Sequence, residues 1–271
     1  MDLLRDTAKA GVWVAGLALG LTVSATGARA ADLPIEDPPA AYAQCMALAE
    51  DRPRDAFGAA VSWEGLGGGE AARHCAAVAL FHMGAFAEAA SRLEALARES
   101  RQALPLRLDL LAQAGTAWLS AGRPGQAEVV LGTAIDLAAR PDEGVPALLP
   151  GLLLDRATAR ADQGRDLEAA RDLDRALDLS PGDAEALALR ATTLRRLGEL
   201  DAAAADAQAA LAAHPDHPAA LLESGNILRL QGNPDAARAA WLRLISVAPD
   251  GPEAAAAREN LARLDVGAGD P

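Results

Sequence analysis

Residues 181–215 read PGDAEALALRATTLRRLGELDAAAADAQAALAAHP, two runs of helix-forming residues separated by Gly198. Pro181 and Pro215 bound this stretch, and Pro249 continues the same 34-residue interval. A 34-residue unit is typical of a helix–turn–helix hairpin whose apolar face is buried only when neighbouring hairpins stack on it. The spacing therefore predicts an all-α array of stacked hairpins, and such an array favours a binding surface over a reaction pocket.

The same interval recurs at other positions around this stretch. Small residues occur at the predicted helix crossings, where they let two backbones approach to roughly 8–10 Å: Ala157, Ala191 and Gly225. Glycines occur where a positive φ would close the first helix of each hairpin: Gly164, Gly198 and Gly232. Each proline would end the second helix, because proline has no amide hydrogen and its ring clashes with the preceding turn.

On these residues the chain resembles the tetratricopeptide repeat family, in three units at 150–183, 184–217 and 218–251. The resemblance implies a right-handed superhelical solenoid of helix–turn–helix hairpins that acts as a scaffold for proteins or peptides. Where the third unit has Trp241, the first and second have Leu173 and Ala207. This difference predicts a thinner, alanine-rich core in the middle unit.

Weaker copies of the pattern flank the three units. We expect degenerate helical hairpins over residues 31–107 and a further degenerate repeat over 108–149, which ends in a long, turn-rich loop. Residues 252–264 are predicted to form an amphipathic helix that covers the end of the stack, as solenoids need for solubility. A disordered tail is expected at 265–271.

The first thirty residues have the pattern of a secretory signal peptide. Arg5 and Lys9 precede the apolar run Val12–Val23, and Ala28-Arg29-Ala30 follows as a cleavage site. We therefore expect cleavage after Ala30 and a periplasmic or secreted protein. The run is short for a transmembrane helix of ~20 residues, although retention as an N-terminal anchor stays an alternative.

Cys45 and Cys75 are the only cysteines. An oxidising compartment would favour a disulfide between them. In the chain-entropy model, closing this 30-residue loop would stabilise the fold by roughly 3–4 kcal/mol. The alternative is that each is a small, buried apolar residue on a helix face, and neither spacing fits a metal site or a redox motif.

Composition and charge exclude several classes of function. The formal net charge is −13, which disfavours binding to nucleic acids and to anionic membrane surfaces. Lys9 is the only lysine, so the protein that remains after cleavage at Ala30 has no lysine nucleophile and no phosphate-binding P-loop. The four histidines lack the spacing of a zinc site. We expect no cofactor, no metal, no enzymatic activity and no membrane-embedded segment.

The resemblance also implies which residues line the concave groove, because the first helix of each hairpin faces it. These residues are Thr158, Asp162, Glu185, Thr192, Arg195, Glu223, Asn226 and Arg229. Arg195 and Arg229 occupy equivalent positions of successive units and would form a positive stripe suited to an acidic peptide or a C-terminal carboxylate. The alternative, that both arginines only pair with neighbouring carboxylates, stays open.

Two classes of function follow from these features. The first is an exported, non-catalytic scaffold or adaptor that binds a protein partner along the groove, in cell-envelope assembly or secretion. The second is an enzyme or a binder of small cell-wall ligands, with its site within residues 40–110 near Trp63, Arg73, His74 and His82. Self-association through an incompletely capped end of the stack is a third interpretation.

Overall fold

The computed structural model describes residues 33–140 and 145–267, and within these ranges the regular structure is entirely helical. The predicted signal peptide lies outside the described residues, as does part of the predicted loop before residue 146. A single 3-10 turn, Pro146–Leu148, precedes the seventh helix. The helices are α1 Pro38–Asp51, α2 Pro53–Gly65, α3 Gly69–His82, α4 Phe86–Glu99, α5 Leu104–Ser120, α6 Pro124–Ala138, α7 Leu149–Asp162, α8 Asp166–Leu179, α9 Ala184–Leu197, α10 Leu200–Ala213, α11 Pro218–Leu230, α12 Pro234–Val247 and α13 Pro252–Gly267.

Consecutive helices pair into hairpins that stack in chain order, so the predicted all-α repeat fold is confirmed. A glycine with positive φ closes the first helix of five hairpins, with φ between 67° and 85°. These glycines are Gly84, Gly122, Gly164, Gly198 and Gly232. Each second helix of the three regular units ends two residues before its proline, for example α8 at Leu179 before Pro181.

The helix crossings contain the small residues that the repeat predicts. At Gly225 an added Cβ would lie 2.3 Å from the indole nitrogen of Trp241, a side chain with no exposed surface. The middle unit has Ala191 opposite Ala207 instead, in a cluster with Ala203 and Ile227. The buried cluster of that unit is therefore rich in alanine, as predicted.

α5 begins at Leu104, because Pro105 is well tolerated in a first helical turn. One predicted boundary differs from the observed helices. The last helix continues past Leu264 to Gly267, so residues 265–267 of the predicted tail are helical. Asp265 accepts a hydrogen bond from Arg238 of α12, which ties this last turn to the stack. The remainder of the tail, 268–271, lies outside the described residues.

Two cysteines join the first and third helices. The sulfur atoms of Cys45 and Cys75 lie 1.93 Å apart, at disulfide distance, and the Cα atoms are 6.1 Å apart. Neither residue has exposed surface. The pair lies in a small core cluster with Ala60 and Ala76, where alanines provide little apolar volume.

Buried ion pairs link the two helices of two successive hairpins. Arg156 donates two hydrogen bonds, of 2.7 and 2.8 Å, to the carboxylate of Asp172, which is only 5% exposed. Arg190 and Asp206, each one repeat further along, form the same bidentate pair at 2.7 and 2.8 Å. Side chains within these hairpins are therefore held by directional bonds where the core itself is thin.

Candidate functional site

The first helices of the hairpins form one continuous face at the C-terminal end of the stack. α9 contacts α11, and α11 contacts α13. Residues at equivalent positions of these helices recur at 34-residue intervals. One set is Thr158, Thr192, Asn226 and Asn260, and a second is Arg195, Arg229 and Arg263. We call the face that bears these seven residues, together with Glu223, the groove face.

Hydrogen bonds cross the groove face from helix to helix. Asn260 donates from its amide nitrogen to Asn226 Oδ1 at 2.9 Å, and Asn226 donates to Glu223 Oε1 at 3.0 Å. Arg195 donates to the same carboxylate from Nε at 2.5 Å and from Nη2 at 3.2 Å. Three first helices are thus joined through one carboxylate, which makes this part of the face well ordered.

Glu223 changes the expected charge of the face. Its side chain is buried, and Arg195 is committed to it. At Arg195 the structure therefore matches the alternative of pairing with a neighbouring carboxylate rather than a free positive stripe. Arg229, by contrast, has no hydrogen-bonding or ionic partner within the described ranges.

Arg229 opens onto a cleft of about 520 Å³ at the end of the stack, where α11, α12 and α13 meet. Its lining is Arg229, Pro234, Asp235, Arg238, Asn260, Arg263 and Leu264, and we call it the arginine cleft. Arg263 pairs with Glu259 at 2.5 Å, and Arg238 pairs with Asp265. Of the three guanidinium groups that line the cleft, that of Arg229 is the one without a carboxylate partner within the described ranges.

The other predicted groove residues are placed differently. Thr158 and Thr192 are half-buried, and each hydroxyl donates back to its own helix, at 3.1 Å to Leu154 O and Ala188 O. At the last turn of α7, burial raises the pKa of Asp162, while the charge of Arg196 partly offsets this. Glu185, at the start of α9, lies 3.0 Å from Nε2 of His217.

Asp155 is a groove-side residue that sequence reasoning missed. Burial raises the pKa of its carboxyl from an ordinary value of 3.8 to about 6, and no hydrogen bond to it is found within the described ranges. The sequence contained a signal, because Asp155 lies two repeat lengths before Glu223. An acidic residue at an equivalent position of two first helices could have been noticed.

A second cleft separates α3 from α5 in the N-terminal half. It has two chambers, of about 380 and 190 Å³, and Gln113 of α5 lines both. Between them His74 Nε2 lies 2.8 Å from Gln113 Oε1, and the Tyr42 hydroxyl lies 2.7 Å from His74 Nδ1. Burial lowers the pKa of His74, which favours the neutral ring. We call this the N-terminal cleft.

Comparison with known proteins agrees with this geometry. The family model described as tetratricopeptide repeat matches in three overlapping segments, 154–218, 188–250 and 222–265. Residues 154–265 belong to the tetratricopeptide repeat family. A search of the curated proteins found no match.

Solved structures of other tetratricopeptide repeat proteins share the fold. TTC0263 from Thermus thermophilus is 21% identical with a TM-score of 0.56, covering 73% of this chain and 99% of that one. A repeat protein from Parabacteroides merdae ATCC 43184 is 22% identical with a TM-score of 0.54, covering 69% and 70%. MamA from Desulfovibrio magneticus RS-1 is 16% identical with a TM-score of 0.51, covering 65% and 93%. At these identities the likeness shows the fold alone.

The structure does not bring together the four residues of the predicted N-terminal enzyme or ligand site. Trp63 is buried in a cluster with Ala41 and Ala72, and Arg73 pairs with Glu99 at 2.9 Å. His82 lines a separate surface cleft near Arg54, whereas His74 lies in the N-terminal cleft.

In the described part of the chain, residues 33–140 and 145–267, no group of three or more histidine, cysteine, aspartate or glutamate side chains is arranged to hold a metal ion. None of the helices in that part combines the length and the apolar character that crossing a membrane requires.

Proposed function

We propose that this protein is an exported, non-catalytic scaffold or adaptor that binds a protein or peptide partner along the groove face. The observation that carries the proposal is the recurrence of polar side chains at equivalent positions of successive first helices, from Thr158 to Arg263. Core packing does not require asparagine or arginine at these positions. A row of hydrogen-bonding groups on a rigid helical face suits recognition of another chain.

The partner segment is acidic where it meets the arginine cleft. Arginine forks pair well with carboxylates, and Arg229 has no competing partner within the described ranges. A carboxylate there would also approach Arg263 and the amide of Asn260, which line the same cleft. The predicted use of Arg195 is revised, because Glu223 already occupies its guanidinium group.

Export to a periplasm or to the medium is part of the proposal. Its support is the residue pattern of 1–30, with basic residues, an apolar run and an Ala-Arg-Ala site. The disulfide distance between Cys45 and Cys75 is consistent with an oxidising compartment. A role in envelope assembly or secretion fits a scaffold in that location.

Affinity capture tests the proposal. The full chain, expressed with its own leader, is immobilised and exposed to native envelope extract, and bound proteins are identified by mass spectrometry. The test variant is Arg229→Glu, and the matched control is Arg243→Glu, an arginine on the outer surface of α12 that is 50% exposed and pairs with Asp216.

We expect one or a few proteins to be retained by the native chain and by Arg243→Glu but lost with Arg229→Glu. Equal retention by both variants would remove the arginine cleft from the proposal. Absence of any enriched protein would contradict the scaffold function and favour the alternative, an enzyme or a small-ligand binder in the N-terminal half.

A further inference from the structure

The polar bridge across the N-terminal cleft has a defined direction. Gln113 Oε1 can only accept a hydrogen bond, so Nε2 of His74 carries the hydrogen that it donates. The other ring nitrogen of a neutral histidine then accepts, and the Tyr42 hydroxyl donates to it. The amide nitrogen of Gln113 is left with two donors and no partner within the described ranges.

These unused donors lie between two apolar chambers. Leu96, Leu106, Leu110 and Ala71 line the larger chamber, and Val78, Phe81 and Leu93 line the smaller one. Leu106 is 52% exposed, so its side chain is accessible from the larger chamber. In an extended chain, side chains two residues apart point the same way and lie roughly 7 Å apart. One such pair can occupy both chambers while the carbonyl between them accepts from Gln113.

The rim of this cleft is acidic. Glu70 and Asp109 line the larger chamber, and among the described residues no arginine lines either chamber. Glu70 accepts a hydrogen bond from Ser100 at 2.7 Å, and Asp109 is exposed. A basic side chain next to the apolar pair would therefore be attracted to this rim.

We propose that the N-terminal cleft binds an extended peptide segment in which two apolar side chains flank a backbone carbonyl and a basic residue follows. This inference rests on the proposed function, since it assigns the chemistry of a second part of the partner. It places an apolar, basic segment at one end of the stack and an acidic segment at the other. The protein would then discriminate partners by the order of these two segments along the stack of hairpins.

Fluorescence anisotropy with synthetic peptides tests the proposal on the full chain. The probe is a labelled dodecapeptide of alternating leucine and lysine. Two comparison peptides replace lysine by glutamate or leucine by serine. We expect the leucine–lysine peptide to bind at least about tenfold more tightly than either comparison peptide, a difference of roughly 1.4 kcal/mol in binding free energy.

Two protein variants fill the chambers from positions on the cleft wall: Ala71→Phe in the larger and Thr116→Phe in the smaller. The matched control is Thr133→Phe on α6, which lies outside the groove face and lines neither chamber, because the hydroxyls of Thr116 and Thr133 make the same bond to the fourth preceding carbonyl, at 3.2 and 3.1 Å. Circular dichroism verifies that each variant is folded. We expect both cleft variants to weaken binding about tenfold and the control to change it less than about twofold.

Each result bears on the inference separately from the proposed function. If Thr116→Phe and Thr133→Phe bind the probe equally, the cleft is not the binding site, whatever the capture experiment shows. If the glutamate peptide binds as tightly as the lysine peptide, the charge argument is wrong. If none of the three peptides binds while envelope capture succeeds through Arg229, the scaffold function stands and this inference fails.

Discussion

Replacing Gly225 by alanine tests how tightly the last complete hairpin is packed. Ordinarily an alanine in place of glycine within a helix stabilises it by about 1 kcal/mol. Here the new Cβ would lie 2.3, 2.5 and 2.8 Å from three atoms of the Trp241 ring. The ring is rigid, fully buried and held by a 3.4 Å hydrogen bond to Leu222 O, so it cannot move away easily.

Overpacking of this kind costs roughly 2–3 kcal/mol, which exceeds the gain in helix propensity. We therefore expect Gly225→Ala to lower the free energy of unfolding by about 1–2 kcal/mol. The first unit has a different pair of residues at this crossing: Ala157 is equivalent to Gly225, and the smaller Leu173 is equivalent to Trp241. In a Trp241→Leu background the same substitution should instead stabilise by about 0.5–1 kcal/mol.

The assay is equilibrium denaturation in urea followed by far-ultraviolet circular dichroism, which does not depend on the removed tryptophan. Gly198→Ala is the control: its Cβ would meet nothing within 4 Å, but its φ of 85° disfavours alanine. It should cost about 1–2 kcal/mol in both backgrounds. The reasoning is refuted if Gly225→Ala has the same sign with Trp241 and with Leu at that position.

Three further outcomes are expected. Asp172→Ala should lower the free energy of unfolding by about 3–5 kcal/mol, because it leaves Arg156 without its ion-pair partner and removes one of the two carboxylates that bind Arg160. Asp174→Ala, at a 62% exposed carboxylate, should cost under about 1 kcal/mol in the same urea titration. The pKa of Asp155 is about 6 in the folded state, above its ordinary value of 3.8, so ionisation of Asp155 destabilises the fold as the pH rises from 3.8 to about 6. Asp155→Asn should therefore be more stable than the native chain near pH 7, by on the order of 1–3 kcal/mol, and equally stable near pH 3.5. An equal difference in the free energy of unfolding at both pH values would contradict this. Cys75→Ala should lower the free energy of unfolding by about 3–4 kcal/mol, and dithiothreitol should reduce the melting temperature of the native chain but not of the variant. An unchanged melting temperature of the native chain in dithiothreitol would contradict a disulfide.

Part of the candidate site could be predicted from the sequence, because groove positions inherit the 34-residue register. Asn226 and Arg229 were found in this way, and Asn260 and Arg263 follow at the same interval in α13. The sequence predicts α13 as a cap on the stack, and this role is compatible with a place on the groove face. Glu259 of α13 is equivalent to Gly225 of α11, the residue at which α11 packs against α12. Because Glu259 is exposed, no further helix packs against α13 at this position.

Pairing between side chains could not be predicted in the same way. Arg195 and Arg229 are equivalent in sequence, yet one is neutralised by Glu223 and the other is free within the described ranges. Position 189, one repeat before Glu223, is a leucine, so the repeat gives no warning of a carboxylate there. Charge on the face depends on single substitutions that the register does not constrain.

The sequence by itself determined the helical hairpins, their glycine and proline boundaries and their stacking, since these depend on short-range backbone sterics that recur once in every unit. Only the tertiary structure decided which charges are available and where the clefts open. Gln113 and His74 are 39 residues apart and belong to an irregular part of the stack. Their contact depends on how far apart α3 and α5 are held, a distance that packing sets and residue spacing does not encode.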